Sequence, residues 1–185
     1  ALTVNPGVVI QFAPNTGFSI NNAGSLNAVG TAAAPIIFKG ATDVAGSWKG
    51  LYFTSNNVLN QLSFVTITGG GSNSFNGHDV KANIRVYQTA QLRISNSSIN
   101  LSLGDGIYTD GTSANELNPL ISFTSNSFTG NTAYPLNISA PCASVIDAAS
   151  TFTANGKQKI CVRGGDIMTD QTWQKTQIPF FITGD

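Results

Sequence analysis

The sequence carries little charge for its length. Lysine and arginine together number nine, aspartate and glutamate also number nine, and charged residues make up 10% of the 185 residues, against about a quarter in an ordinary soluble domain. Nucleic acids and anionic membranes attract proteins through excess positive charge, so this balanced chain is not expected to bind nucleic acid. Its polarity comes from asparagine, serine, threonine and glycine, which favour turns and extended backbone over helix interiors.

Long apolar runs are also lacking. None approaches the roughly 20 residues of a membrane-spanning helix, so no membrane insertion is expected. No charged-then-apolar segment of the signal-peptide type opens the chain, so for an exported protein we expect the signal to have been removed already. The length suits one domain with a substantial core, and we predict a single domain over residues 1–185.

Cysteine is scarce, with Cys142 and Cys161 as the two thiols. In an exported protein the oxidising environment favours a disulfide, and a bridge between them would stabilise the fold by about 3 kcal/mol. The alternative is two buried thiols in a reducing compartment. Sequons at Asn96, Asn100 and Asn137 fit glycosylation on an extracellular surface, although an asparagine-rich chain also produces sequons by chance.

Short apolar runs recur along the whole chain, separated by turn residues. Val8–Phe12 and Leu92–Ile94 have the length of strands, and the intervening glycine, proline and asparagine clusters indicate turns rather than helix caps. Leu92–Ile99 and Ile121–Phe128 resemble each other about 30 residues apart, a period typical of solenoids. The sequence therefore predicts an all-β fold, a right-handed parallel β-helix, in which successive coils pair in parallel and stack their inward side chains into apolar columns.

Two features of this fold can be placed along the chain. Asn96 and Asn126 occupy similar points of the repeat and are predicted to stack at a corner, since asparagine tolerates left-handed backbone and forms ladders. The polar interruptions at Gly69–Asn83 and Gly104–Asn118 are predicted to be loops that project from the solenoid. A β-sandwich is the alternative fold, but the tight hairpin turns that it favours are scarce in this sequence.

Several segments resemble, in their order, a group of exported bacterial right-handed β-helix repeat proteins. These segments are Leu2–Phe12, Gly24–Thr31, Pro35–Phe38, Trp48–Phe53, Thr129–Asn131, Tyr134–Leu136, Gly164–Asp166, Trp173 and Pro179–Asp185. The group includes surface proteins and adhesins, and its fold is similar to that of pectate-lyase-like enzymes. The resemblance implies a non-enzymatic, extracellular or cell-surface structural or adhesive module with no cofactor. It transfers no catalytic residue, because the matching segments are turns and core positions.

The ends of the chain suggest association. Near the amino end the residues predict neither a helix nor an atypical coil of the kind that caps natural solenoids. At the other end Phe180–Asp185 resembles sequence that commonly leads to another segment like Leu2–Phe12. We therefore expect either a piece of a larger surface protein, or a subunit whose open ends join identical subunits into a filament.

A carbohydrate-active enzyme, either a polysaccharide lyase or a glycosidase, is the alternative function. It needs clustered carboxylates, often with Ca²⁺ and a basic residue. Asp105 and Asp110 form one candidate pair for catalysis, ligand binding or Ca²⁺, and Asp166 and Asp170 near Arg163 form another. The competing interpretation is that these aspartates cap their own turns.

Basic residues offer a second candidate site. Arg85 and Arg93 alternate with apolar neighbours, so both are predicted to point outward and, with Lys81, to form a small patch for an acidic sugar. The alternative is two solvated residues that keep strands soluble. His78 is the only histidine and lies beside Asp79, and without partners a lone histidine supports neither a zinc site nor a catalytic triad.

Aromatic side chains would serve a passive glycan-binding module. The candidates are Trp48, Tyr52, Tyr87, Tyr108 and Trp173. The two tryptophans fall in turn-like segments, and we expect them to plug the core or to cover a coil edge.

Threonine side chains are the last candidates for a binding surface. Val65–Thr68 has the alternating threonines that an ice-binding face needs. The pattern does not recur in register along the sequence, so no flat threonine array is expected.

Overall fold

Strands of three to five residues stack on one another along the molecule. The computed structural model describes residues 1–75, 79–111, 118–167 and 169–184. Each strand is short because an apolar–polar alternation is soon interrupted by a turn residue. Every strand pair in the described part of the chain is parallel, which confirms the predicted parallel β-helix. The right hand of the coil stays a prediction.

The strands form three sheets, in each of which successive strands are hydrogen-bonded neighbours. Sheet A consists of β1 (Leu2–Val4), β4 (Leu26–Val29), β7 (Gln61–Ser63), β10 (Leu92–Ser95) and β13 (Leu120–Thr124). Sheet B consists of β2 (Val9–Phe12), β5 (Ile36–Gly40), β8 (Val65–Thr68), β11 (Ser98–Asn100), β14 (Ser127–Thr129) and β16 (Thr151–Thr153). Sheet C consists of β3 (Gly17–Ile20), β6 (Gly50–Phe53), β9 (Ala82–Val86), β12 (Asp105–Thr109), β15 (Leu136–Ser139), β17 (Ile160–Arg163) and β18 (Phe180–Thr183).

Each of the first five coils contributes one strand to each sheet in turn. In the next coil a 3-10 helix, Ala140–Val145, stands where a sheet A strand would lie. Pro141 at its start fixes the backbone φ near the helical value and removes a ladder donor, so this segment turns instead of pairing. Among the described residues no helix is long and apolar enough to cross a bilayer.

Apolar columns fill the interior of the coil. In sheet C, residues in register from coil to coil are Leu51, Ile84, Ile107, Leu136 and Ile160. In sheet B, the corresponding column is Phe38, Ile67, Ile99, Phe128 and Phe152. All ten are buried, and full burial of one such side chain stabilises a fold by roughly 1.5–3 kcal/mol.

The repeat seen in the sequence and the placement of Trp48 are both confirmed. Ile94 lies beside Phe123 in sheet A, and Ile99 lies beside Phe128 in sheet B. The Trp48 ring is fully buried and stacks on Phe12 with ring centroids 4.3 Å apart. Its Nε1–H donates to the Thr68 carbonyl at 2.8 Å, which satisfies the one polar atom of the buried side chain.

Residues in left-handed backbone turn the chain on either side of sheet B. Before the sheet B strands they are Phe64, Asn96 and Ser125, and after them they are Gly69, Leu101 and Gly130. Asn96 therefore has the predicted left-handed backbone, but it does not stack on Asn126. Asn126 lies one position later in its coil, and its Oδ1 accepts a hydrogen bond from the Ser97 N–H at 3.1 Å.

The prediction of a loop over Gly104–Asn118 is wrong for its first part, which forms β12. The Asp105 carboxylate accepts a hydrogen bond from the Tyr134 N–H of the next coil at 2.9 Å. A Cβ at Gly106 would lie 2.5 Å from the Pro135 carbonyl oxygen, so only glycine allows the two backbones to approach. The remaining residues 112–117 lie outside the described residues. The predicted loop over Gly69–Asn83 is also wrong at its end, since Ala82 and Asn83 begin β9. The described residues before them contain no strand, but Gly69, Gly70 and Gly71 are buried and do not project from the coil.

The predicted disulfide is absent, since both cysteines lie in the described part of the chain and are free and buried. Cys142 lies in the 3-10 helix and belongs to the apolar core. Cys161 lies between the inward-pointing Ile160 and Val162 of β17, so its side chain is directed to the outer side of sheet C, where Sγ is 3.8 Å from Thr183 Oγ1. The sheet itself separates the two thiols, which excludes the short Cβ–Cβ approach that a bridge requires.

Candidate functional site

A row of polar and aromatic side chains runs along the outside of sheet C. In β9, Ile84 and Val86 point into the core, so Arg85 between them points outward. The register then aligns Tyr52, Arg85, Tyr108 and Asn137 from coil to coil. We call these four residues the outer ladder.

Arg85 is the centre of the outer ladder and is paired with Asp110. Its Nε and Nη2 donate to the two carboxylate oxygens of Asp110, each at 2.8 Å. Both side chains are largely buried, with 4% of Arg85 and 15% of Asp110 exposed. Burial lowers the pKa of Arg85, but the hydrogen bond and charge of Asp110 outweigh it, so the net shift is upward. Arg85 is therefore a fixed cation rather than a free ligand-binding group.

Aromatic rings enclose this cation. The Arg85 guanidinium carbon lies 5.0 Å from the Tyr52 ring centroid and 6.0 Å from that of Tyr108, distances at which a cation is attracted to an aromatic face. Phe75, from the segment before β9, stacks on Tyr52 at 5.2 Å and accepts a hydrogen bond from Arg85 Nη1 through its carbonyl at 3.4 Å. The Tyr52 end of the outer ladder is thus covered by the chain itself.

The Tyr108 end is held by a second arginine. The Arg163 guanidinium carbon lies 4.3 Å from the Tyr108 ring centroid. Its Nη1 donates to Asn137 Oδ1 at 2.7 Å, and its Nη2 donates to the Thr109 carbonyl. Burial raises the pKa of the Tyr108 hydroxyl, and the charge of Arg163 opposes this shift. The ring is therefore rigidly placed and half-buried.

Asp105 is a buried carboxyl group beside the Tyr108 end of the outer ladder. Only 7% of the residue is exposed. One oxygen accepts a hydrogen bond from the Tyr134 N–H at 2.9 Å and the other from Asn137 Nδ2 at 3.0 Å. Burial raises its pKa from 3.8 to about 6, against the opposing effects of these hydrogen bonds and of Lys157 and Arg163. Near pH 6 the group thus exists in both protonated and ionised forms, and at neutral pH it is mostly ionised.

An open groove of about 410 Å³ lies against these residues. Its lining includes Asp79, Lys81, Leu103, Asp105, Tyr108 and Asn137. Asp79 and Lys81 are exposed at its rim, whereas Asp105 is buried in its wall. The groove thus combines an aromatic ring with carboxyl, amide and ammonium groups, the mixture with which proteins bind sugars and other polar ligands.

The structure does not bring the predicted basic patch together. Arg93 is exposed on the outside of sheet A, where it lies beside Gln61 and Ser122. Arg85 is on sheet C and is buried. Lys81 alone of the three lines the groove.

Neither predicted carboxylate pair forms a buried site, since the first pair is separated and the second is exposed. Asp105 begins β12 and Asp110 follows its last residue, so their Cα atoms are about 16 Å apart at 3.3 Å per residue. Asp105 is bonded to Tyr134, and Asp110 is paired with Arg85. Asp166 and Asp170 are exposed, while Arg163 is turned toward Asn137. Within the described ranges no group of three or more His, Cys, Asp or Glu side chains is placed to hold a metal ion. His78 lies outside the described residues.

The predicted glycosylation sites differ in accessibility. Asn96 is exposed at a corner. The Asn100 amide donates to Ser98 Oγ at 2.8 Å within sheet B. The Asn137 amide bonds both Asp105 and Arg163, so a glycan attached there would displace both contacts.

Among the predicted aromatic candidates, Tyr108 alone lines the groove. Tyr52 is buried, and Tyr87 packs against the core. Trp173 lies 5.0 Å from the Phe180 ring and covers the edge of the last coil, as expected for that residue. The parts played by Phe75, Tyr134 and Asn137 were missed, because no sequence pattern shows which residues of other coils lie beside Tyr108 and Asp105.

No protein-family model, curated protein or solved structure matches this chain. The parallel β-helix therefore rests on the strand pairing described above. The resemblance of the sequence to exported β-helix repeat proteins stays a prediction.

Proposed function

We propose that this chain is a non-enzymatic structural and adhesive β-solenoid module that holds a surface glycan in the groove beside the outer ladder. The observation that carries the proposal is the half-buried Tyr108 ring, fixed between the guanidinium groups of Arg85 and Arg163 at the groove wall. Because the two guanidinium groups lie over the ring, its exposed edge is the part that can contact the apolar C–H groups of a sugar. The hydroxyl groups of the sugar then need polar partners at the sides.

The groove supplies those partners. Asn137 and Asp105 line it next to Tyr108, and Lys81 and Asp79 stand at its rim. With a pKa of about 6, Asp105 is mostly ionised at neutral pH and offers acceptor oxygens to a hydroxyl group. Tyr108, Asp105 and Asn137 are already ordered by their contacts with one another and with Arg163, so these three side chains lose little conformational entropy when a ligand binds.

The binding test uses the purified chain, a panel of neutral and acidic oligosaccharides, and isothermal titration calorimetry. Tyr108→Ala removes the ring, and we expect it to weaken binding tenfold or more, the loss typical of an aromatic hot spot. Tyr108→Phe keeps the ring and is the matched control, which we expect to bind within a few-fold of the parent. Equal affinity of the parent and Tyr108→Ala would exclude this groove as the site.

A polysaccharide-cleaving enzyme is the second candidate, favoured by one observation. Asp105 and Asp79 both line the groove, and the raised pKa of Asp105 suits a general acid. The assay follows new reducing ends and unsaturated products from the same panel, with and without Ca²⁺. Robust cleavage that Asp105→Asn abolishes would replace the adhesive proposal with this one, whereas binding without product supports the adhesive module.

We further propose that the module works within a longer stack of coils. Leu2 and Val9 of the first coil and Phe181 and Ile182 of the last strand are exposed apolar residues on edge strands. Parallel strand addition would cover them, either with further coils of the same polypeptide or with another copy in a filament. Sedimentation and electron microscopy separate the two arrangements, since persistent monomers without fibres count against self-assembly.

An extracellular or cell-surface location completes the proposal. It is supported by the resemblance to exported repeat proteins and by the exposed sequon at Asn96. The two free thiols lend it no support, because oxidising compartments favour disulfides.

A further inference from the structure

Sheet B presents a second outward surface, on a different side of the coil from the groove. In four successive strands, two outward residues flank a buried apolar one. One row in register is Thr66, Ser98, Ser127 and Thr151, and the other is Thr68, Asn100, Thr129 and Thr153. We call these eight residues the outer polar array. The sequence predicted no flat threonine array, and the rows indeed contain serine and asparagine beside threonine.

The outer polar array is a regular two-dimensional grid. Neighbouring strands lie about 4.8 Å apart, and alternate residues of a parallel strand lie about 6.6 Å apart. Its four strands pair without a register shift, whereas sheet A shifts register between Leu92 and Arg93. In three of the coils the left-handed residues that bound the strand, such as Phe64 and Gly69, lie five residues apart. The turns on either side of these three strands therefore recur with the same spacing.

The grid is uncharged and carries no aromatic ring. Each hydroxyl both donates and accepts hydrogen bonds, and threonine is stiff about χ1 and adds a methyl group. Contacts within the rows order it further, with Ser127 Oγ donating to Ser98 Oγ at 3.1 Å and the hydroxyl oxygens of Thr129 and Thr153 3.0 Å apart.

We propose that the outer polar array binds a surface of ice. A face of ice presents water molecules that donate and accept hydrogen bonds at regular intervals in two dimensions, and the array presents seven hydroxyls and one amide that also repeat in two dimensions. Each water contact is weak, but contacts that form together on one rigid face add their affinities. A single sugar chain, in contrast, is recognised by aromatic and charged groups like those of the groove on sheet C, which the eight residues lack.

Microscopy of ice crystals grown in the presence of the purified chain tests the proposal. We expect the parent to shape the crystals and to slow their recrystallisation. Thr129→Lys and Thr153→Lys each place a long charged side chain in the grid and should abolish both effects. Thr124→Lys makes the same change at an exposed position on the outside of sheet A and should keep them. Melting temperature and circular dichroism show whether each variant is folded.

Absence of ice shaping by the folded parent would overturn the proposal. So would equal shaping by the parent and by a folded Thr129→Lys or Thr153→Lys variant. The competing occupant is a crystalline polysaccharide, tested with insoluble cellulose. Retention on cellulose that Thr129→Lys abolishes, together with unaltered ice growth, would assign the array to that partner instead.

Discussion

Arg85 shows what a single side chain contributes when it is charged and shielded from water. A buried guanidinium is tolerated at this position because Asp110 meets it with two hydrogen bonds and Tyr52 covers one of its faces. Alternation with Ile84 and Val86 predicted that it points away from the core. The sequence could not show that it would be covered, because Phe75 and Asp110 come from other parts of the coil.

Asp110→Asn is expected to destabilise the fold by about 3 kcal/mol, because it leaves the buried Arg85 cation without its countercharge. Urea denaturation of parent and variant measures the difference. The matched control is Asp43→Asn, which breaks the Lys39–Asp43 pair at a position where Asp43 is 76% exposed, and it should change stability by no more than about 0.5 kcal/mol. Similar losses in the two variants would mean that Arg85 is not effectively buried.

Asp105 should make stability depend on pH. Its pKa is about 6 in the folded chain and close to 3.8 when unfolded, so between these values the folded state binds the extra proton. The contribution of Asp105 to the free energy of unfolding therefore falls as pH rises from about 4 to 6, by about 3 kcal/mol at 1.4 kcal/mol per pH unit, and is level above that range.

Asp105→Asn removes this titration, so the difference in stability between parent and variant should change across that pH range and be constant above it. Urea titrations at several pH values from 4 to 8 measure the difference. Parallel pH profiles for the two proteins would show that Asp105 has an ordinary pKa in the folded chain.

At the scale of elements, the corner between sheets B and C is joined by a ladder of buried asparagines. The Asn131 Oδ1 accepts hydrogen bonds from the Ser102 N–H at 3.0 Å and from Asn83 Nδ2 at 3.3 Å. Its Nδ2 donates to the Ile99 carbonyl at 3.1 Å and to Asn155 Oδ1 at 2.9 Å. One amide thus satisfies the backbone of an adjacent coil and links two further asparagines.

Asn131→Ala should cost on the order of 3 kcal/mol, since several buried donors and acceptors lose their partner and cannot reach water. Thermal and urea unfolding provide the measurement. Asn27→Ala is the control, because Asn27 lies half-buried on the outer side of β4, and we expect a change of no more than about 0.5 kcal/mol. Comparable effects at the two positions would show that the ladder does not hold the coils together.

These elements mark how far the sequence predicts the structure. Strand positions and the apolar columns follow from alternation within each run, so Ile94 and Phe123 could be paired in advance. The prediction for Asn126 was wrong by one residue, since Ser125 rather than Asn126 corresponds to Asn96 at the corner. Both asparagines have small polar neighbours, so the residue types do not show which position takes the corner. The outer polar array needs the register of four strands at once, which residue types alone do not give.

At the scale of the whole molecule, stacking rather than cross-linking joins one coil to the next. Each coil contacts its neighbours through parallel ladders, apolar columns and corner asparagines. Because no disulfide joins the coils, the stability of the chain depends on nearest-neighbour contacts between them. The same arrangement leaves the outward faces of sheets B and C continuous over several coils, which gives the proposed ice-binding array and glycan groove their extent.

Stability should therefore be independent of reductant. Burial raises the pKa of the Cys142 thiol and suppresses its reactive thiolate, and sheet C keeps Cys161 on the other side. We expect the same urea midpoint with and without dithiothreitol, and two thiols titrated by Ellman's reagent after denaturation without reductant. A bridge over this loop would instead add about 3 kcal/mol that reductant removes. If no thiols were titrated and reductant lowered the stability by that amount, the coils would have to shift enough to bring both sulfurs to the same side of sheet C.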